Sequence, residues 1–302
     1  MTSSQTYAGY IAIIGRPNVG KSTLLNRILG RKVSITARKA QTTRHKILGI
    51  KTIANWQAIY VDTPGLQNKI RSRLSHYMNM AALSVLTDVD VVIVVVGTIW
   101  RQEDELVLQS LRKISCPVIL VINKIDMVKQ KKQLLESIQQ MSQKHQFAAV
   151  VPLAAQNGVN LPALEQEVQK VLPRNPFFFS AEQITDQDDK FLIAEIIREK
   201  LTRFLGEELP YVLSVVIDQL VTKSNVLRIA ATIYVERRGQ KIIILGKNGE
   251  GLKRIGTLAR KELENLFSQK VFLQLWVKVK NDWTNNQLLL QQFGYDNRVH
   301  TL

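Results

Sequence analysis

Residues 15–22 read Gly15-Arg16-Pro17-Asn18-Val19-Gly20-Lys21-Ser22, a full match to G-x-x-x-x-G-K-[ST]. No other feature limits the possible folds as strongly, because this pattern functions only between a buried strand and a helix. Both flanks fit. An apolar run over 10–14 precedes it, and an amphipathic stretch over 23–29, opened by Thr23, follows. Glycines let the backbone curl so that successive N–H groups point at an anionic chain, and the helix N-terminus adds partial positive charge. The spacing predicts a polyphosphate cradle, with Lys21 reaching the β- and γ-phosphates and the Ser22 hydroxyl ligating Mg²⁺.

The surrounding pattern extends this into a fold. Strand-like apolar runs at 10–14, 47–53, 56–62, 89–96, 118–123 and 148–153 are interspersed with amphipathic helices at 73–86, 103–113, 131–145 and 161–172. Near-continuous Val/Ile runs are what strands covered on both faces look like, so a mostly parallel, doubly wound α/β sheet is expected. Pro173 and Pro176 end the pattern, and 177–188 reads as a linker. A second, smaller α+β block follows: helix 189–205, strands 211–220 and 226–236, short helix 240–245, a Gly-rich turn, helix 251–267 and strand 271–280. The expected division is 1–173, linker 174–188, and 189–302.

Two motifs identify the nucleotide. Asp62-Thr63-Pro64-Gly65 closes the strand at 56–62, where Asp62 can hold the Mg²⁺ shell through water and the Gly65 N–H can sense a γ-phosphate. Asn123-Lys124-Ile125-Asp126 follows another buried strand. The Asp126 carboxylate can accept from guanine N1–H and N2–H₂, a donor pair adenine lacks, and such sites discriminate by roughly 10⁴. The Lys124 stem can lie along the base while Asn123 ties this loop to the phosphate loop. GTP is therefore expected over ATP. Thr43, or alternatively its neighbour Thr42, lies in a polar, basic segment where a threonine can ligate Mg²⁺ once a γ-phosphate is bound. Leu153-Ala154-Ala155 ends the last strand and offers the Ala155 N–H to guanine O6.

Charge points to a second ligand. The chain carries 41 Lys/Arg against 25 Asp/Glu, a net +16 that favours a polyanionic partner, nucleic acid or an anionic lipid surface. Residues 228–280 concentrate the excess, with 12 cations and 4 acids. Within them Gly246-Lys247-Asn248-Gly249 forms a G-x-x-G turn between two helical stretches, which lets a sugar-phosphate backbone approach closely. Arg237, Arg238, Lys241, Lys253 and Arg254 surround it as candidate phosphate contacts. This order of elements and charges predicts a KH-type RNA-binding module. The single cysteine, Cys116, reads as a packed thiol and fits a reducing compartment; no secretory pattern opens the sequence, and a cytoplasmic location is expected. His45, His76, His145 and His300 lack metal-ligand spacing and read as exposed or capping.

Taken together, GRPNVGKSTLLN (15–26), SITARKAQTTRHKILGI (34–50), DTPGL (62–66), NKID (123–126), AEIIREKL (194–201), LGEELPY (205–211), VERRGQKIIILGKNGEGLKRIG (235–256) and LQLWVKVK (273–280) resemble the Era family of bacterial GTPases over nearly the whole chain. The resemblance implies a Ras-like, P-loop GTPase domain followed by a type II KH domain. It also implies GTP hydrolysis, binding of 16S rRNA near its 3′ end, a role in maturation of the small ribosomal subunit, a monomer, and peripheral contact with the inner membrane. By that likeness GTP and Mg²⁺ order residues 32–46 and the loop after Gly65 and bias how the two domains dock. Two other readings stay open: an assembly factor that holds GTP with negligible turnover, and a GTPase acting at a membrane surface.

Three positions carry their own expectations. A Ras-like protein has Gln after D-x-x-G to orient the attacking water; here that position is Leu66, as in the Era-like proteins, so slow intrinsic hydrolysis is expected. Gln67 next door would project differently. The usual Ser of the last guanine motif is Ala154, which implies weaker nucleotide affinity without loss of specificity, and the connection over 221–225 looks short. Asn18 either positions a monovalent cation, typically K⁺, near the β/γ-phosphates, as related GTPases do, or braces the loop.

Overall fold

The computed structural model describes residues 5–37, 39, 42–67, 70, 72–112, 114–205 and 212–295. Segment 205–211 therefore lies largely outside the described residues, as do His300 and three positions within 34–50. Six strands form the first sheet: β1 (Tyr7–Ile14), β2 (Ile47–Ile53), β3 (Trp56–Asp62), β4 (Val91–Val96), β5 (Val118–Ile122) and β6 (Ala149–Pro152). Their order is β2-β3-β1-β4-β5-β6. All pairings are parallel except the edge hairpin, where β2 runs antiparallel to β3.

The sequence explains this layering. Every residue of β3, β4 and β5 is buried, which requires a helical layer on each face. Helices α1 (Lys21–Leu29) and α5 (Leu161–Val171) supply Leu24, Leu25, Ile28, Leu164 and Val168 to one core. On the other face α2 (Arg73–Ser84), α3 (Gln102–Ser110) and α4 (Lys131–Ser142) supply Ala82, Val107 and Met141. Each fully buried Leu or Val side chain contributes about 1.5–3 kcal/mol. The strand order reverses at β1, so its carboxyl end opens into the crevice where doubly wound sheets bind ligands.

The second unit comprises α6 (Asp189–Phe204), β7 (Leu213–Lys223), β8 (Val226–Val235), α7 (Arg238–Leu245), α8 (Glu250–Phe267) and β9 (Lys270–Val279). Its sheet is β7-β8-β9, with β8 parallel to β9, and the helices cover one face only. The Asp188 carboxylate caps α6 by accepting from Phe191 N at 2.7 Å. The short connection expected over 221–225 is shorter still. Strands β7 and β8 pair through Lys223 and Val226, leaving Ser224 and Asn225 (φ 52° and 57°) as a two-residue hairpin turn. Residues 177–188 lie against the first sheet: Thr185 bridges Gly49, and Ile50 N donates to Ile184 O at 2.8 Å.

One element was not legible in the sequence. Helix α9 (Gln287–Gln292), capped by Asn286, follows β9 and brings Leu290 and Tyr295 together with Trp283 against Leu74 and Met78 of α2. Among the described residues no helix is long and apolar enough to cross a membrane.

Candidate functional site

The phosphate loop leaves β1 and turns into α1 through Gly20, whose φ of 105° only glycine adopts readily; a Cβ there would stand 2.3 Å from Asn123 Nδ2. Lys21 is buried inside the loop and donates to Gly15 O (3.0 Å) and Arg16 O (3.2 Å). Burial lowers its pKa to about 8, against the pull of Asp62. Pro17, Asn18, Thr23 and Gly65 line the same cavity, and Gly65 packs directly on Pro17. Arg16 leans away onto Asp104, 3.1 Å distant.

Three oxygens predicted to serve Mg²⁺ converge here. Ser22 Oγ donates to Asp62 Oδ2 at 2.7 Å and stands 2.7 Å from Thr43 Oγ1, which in turn lies 3.3 Å from Asp62 Oδ2. Asp62 is fully buried, and its Oδ1 has no hydrogen-bond partner among the described residues. An oxygen-rich cluster with an orphaned carboxylate oxygen fits a hard divalent cation. Thr42 Oγ1 instead donates to Lys39 O at 2.6 Å, so geometry separates the two threonines left open by the sequence. Ser34, which no motif flagged, also donates to Asp62 Oδ2 at 2.9 Å. Thr63 Oγ1 donates to Ile13 O, and Leu66 is buried in the second core. Gln67 is clamped by Asn79 through its backbone N and O.

At the base corner Asn123 Nδ2 donates to Val19 O at 2.8 Å, and Lys124 Nζ donates to Asn18 O at 2.7 Å. Ile125 N donates to Leu153 O, and Asp126 is exposed at the mouth. The Ala155 N–H donates to Asn123 Oδ1 at 2.9 Å, an oxygen that also accepts from Lys124 N at 2.8 Å. Ala154 is buried, its N–H paired with Val159 O.

In the second unit, the turn from α7 to α8 has Asn248 at φ 52° and Gly249 at φ 81°, with open space around Gly249. A groove beside it is floored by Leu252, Leu273 and Leu275 and rimmed by Lys253 and Arg260. Gly246, Lys247 and Asn248 stand exposed at its end. Arg254 packs its guanidinium over Phe204, 5.8 Å from the ring centre. Arg237, Arg238 and Lys241 begin α7, roughly 8–14 Å from the turn by helix rise, and do not line the groove. Arg260 and the leucine floor were missed by sequence reasoning, which weighed charge near the glycines rather than the facing strand.

Known proteins match this arrangement. A family described as 50S ribosome-binding GTPase covers residues 10–124, and a KH domain family covers 208–284. GTPase Era of Coxiella burnetii (strain Dugway 5J108-111) is 50% identical over 291 residues, covering 96% of this chain and 99% of that protein. GTPase Era of Glaesserella parasuis serovar 5 (strain SH0165) is 50% identical over 297 residues, 98% and 99% of the two chains. The chain belongs to the Era family of GTPases. A crystal structure of Aquifex aeolicus Era bound to GDP·AlF4⁻ superposes with a TM-score of 0.93 at 41% identity, covering 96% and 99% of the chains. An Era structure in complex with MgGDPNP and nucleotides 1506–1542 of 16S ribosomal RNA matches equally well, with the same score, identity and coverage.

In this Era-family chain the switch segment is bonded to the second unit. The Thr42 carbonyl accepts from Arg198 of α6, whose guanidinium also pairs with Glu195 at 2.6 Å. Burial opposes the Glu195 charge, but Arg198 beside it holds its pKa below the usual carboxylate range. Arg44, fully buried, donates to Leu213 O (2.7 Å) and Tyr295 Oη (3.1 Å). Glu199 accepts from Thr36 N at 3.0 Å and pairs with Lys32, Lys200 and Arg203. His45 is not the exposed side chain expected from sequence. It stacks on Tyr295 (4.6 Å between centres) beside Phe191, and burial lowers its pKa to about 4.

Proposed function

We propose that this Era-family GTPase uses the triphosphate to set the grip of its KH domain on single-stranded 16S rRNA near the 3′ end, during assembly of the small ribosomal subunit. The observation that carries the reading is the position of Thr43. It stands 3.3 Å from Asp62 while its two neighbours, Thr42 and Arg44, are bonded to the second unit. A cation or γ-phosphate that draws Thr43 must pull on α6 and β7 as well.

Lys21 and the phosphate-loop amides hold the β- and γ-phosphates, and Asp126 accepts from the guanine edge. Ser22, Thr43 and Asp62 would hold Mg²⁺, which supplies charge to the β/γ oxygens when bound. Gly65 N–H takes the γ-phosphate. Water attacks in line, and the preorganised Lys21 and amide dipoles stabilise the developing charge. Leu66 is buried in the core and offers the water nothing, which supports slow unassisted turnover. Residues 1–173 and 189–302 act as the two bodies, joined by 174–188.

The test is equilibrium titration with GTP, GDP and ATP, followed by multiple-turnover phosphate release with and without an RNA of the 16S 3′ end. Expected are guanine selectivity and turnover raised by the RNA. Equal affinity for ATP would overturn the nucleotide assignment, and absent turnover would leave a GTP-holding assembly factor. The Asn18 side chain makes no hydrogen bond among the described residues, which favours cation positioning over bracing. Turnover about tenfold faster in K⁺ than in Na⁺ is then expected. A monomer in sedimentation, and binding to anionic vesicles that the same RNA displaces, complete the reading.

A further inference from the structure

The helices of the second unit cover one face of its sheet. On β9 the residues facing them are Val271, Leu273, Leu275, Val277 and Val279. Alternation puts Lys270, Phe272, Gln274, Trp276 and Lys278 on the opposite, helix-free face. The register places Arg228 of β8 beside Phe272 and Val221 of β7 beside Arg228. Phe272 and Trp276 are 48% and 46% exposed, unusually high for large rings in the middle of a strand. At the far end of this face Phe293 stacks on Tyr234 at 4.6 Å.

We propose that this face is a second RNA-binding surface, on which bases of a single strand stack against Phe272 and Trp276 after leaving the G-x-x-G groove. The proposal rests on the RNA reading above. Three observations favour a nucleic acid strand. Lys270 and Lys278 flank the two rings on the same face of one strand, and Arg228 already lies over Phe272, 5.6 Å from the ring centre, as at stacking platforms for single strands. Lys270, Lys278 and Arg228 form no ion pair among the described residues. The carboxylate on this face, Asp218, is turned to Thr232 Oγ1 at 2.7 Å. Such a field repels a second copy of the same face.

Continuity supplies the path. Leu273 and Leu275 line the groove, while Phe272, Gln274 and Trp276 alternate with them on the same edge strand. A G-x-x-G loop clamps about four nucleotides, so a longer strand needs further surface. The two rings, four residues apart, are separated by about 13 Å and would each take a base of their own.

The experiment compares a labelled four-nucleotide RNA with a single strand of about sixteen nucleotides, by fluorescence anisotropy on the full chain with a non-hydrolysable GTP analogue. Phe272→Ala combined with Trp276→Ala is expected to bind the short RNA as wild type does and the long one about tenfold more weakly. Trp276→Tyr, which keeps a stacking ring, restores most of the long-strand affinity. Gly249→Asp weakens both. Wild type that binds both RNAs with the double variant unchanged overturns this proposal alone, as does equal weakening of short and long. Wild type that binds neither overturns the RNA reading too. Loss of binding only to phosphatidylglycerol vesicles would assign the face to lipid and overturn the proposal.

Discussion

The nucleotide cleft and the RNA groove solve opposite problems. In the cleft, polar groups are buried and locked at strand ends: Lys21, Thr43, Asp62 and Asn123 are all nearly inaccessible. In the groove the cations are exposed around an apolar floor. A small ligand read atom by atom needs preorganised donors, and their burial makes each contact expensive to lose. A flexible polymer is held by charge and stacking, where losses are graded. The cleft should therefore fail abruptly under mutation and the groove gradually.

The sharpest way to break that contrast is Asp126→Asn. Guanine preference in an equilibrium titration should fall by roughly 10³–10⁴, with xanthine nucleotides gaining; a loss of about a hundredfold or less would put the cleft in the same class as the groove. Next is Arg198→Ala at the junction, which leaves Glu195 buried without its partner. Unfolding free energy should drop by about 3 kcal/mol, and GTP should no longer change RNA affinity. Coupling that survives would show that the switch segment acts by another route. Gly249→Asp adds a repelling carboxylate to an open turn. RNA affinity should decline about hundredfold at moderate salt, with GTP affinity unaltered. The smallest effect is expected at Ala154→Ser, where a restored hydroxyl should improve GDP affinity about threefold, measured by titration calorimetry. A larger gain would mean the base corner is less complete than the rest of the cleft.

Much of the cleft was legible because each motif is contiguous and sits where a buried strand meets a loop. The strand run 56–62 followed by DTPG already places Asp62 at a carboxyl end, and the structure puts it there. What escaped were partners from elsewhere in the chain. Ser34, whose local sequence carries no signal, reaches Asp62, and Asn123, legible as a tie to the phosphate loop, also takes the Ala155 N–H. The groove was half legible. G-x-x-G marked its rim, but its floor comes from the alternate residues of β9, and alternation alone does not say which face meets the helices. His45 and α9 were missed for one reason: both take their place from a cluster assembled by α2, α6 and the C-terminal segment.

The sequence by itself determined the layered fold, the phosphate loop and the preference for guanine, because periodic burial and short loops are properties of neighbouring residues. Only the tertiary structure decided that Thr43 rather than Thr42 joins Ser22 and Asp62, and that Arg44, Arg198 and Glu199 fasten the switch segment to the second unit. The threonine choice turns on contacts about twenty residues apart and the fastening on buried charges that find partners more than a hundred residues away, and packing settles both where periodicity cannot.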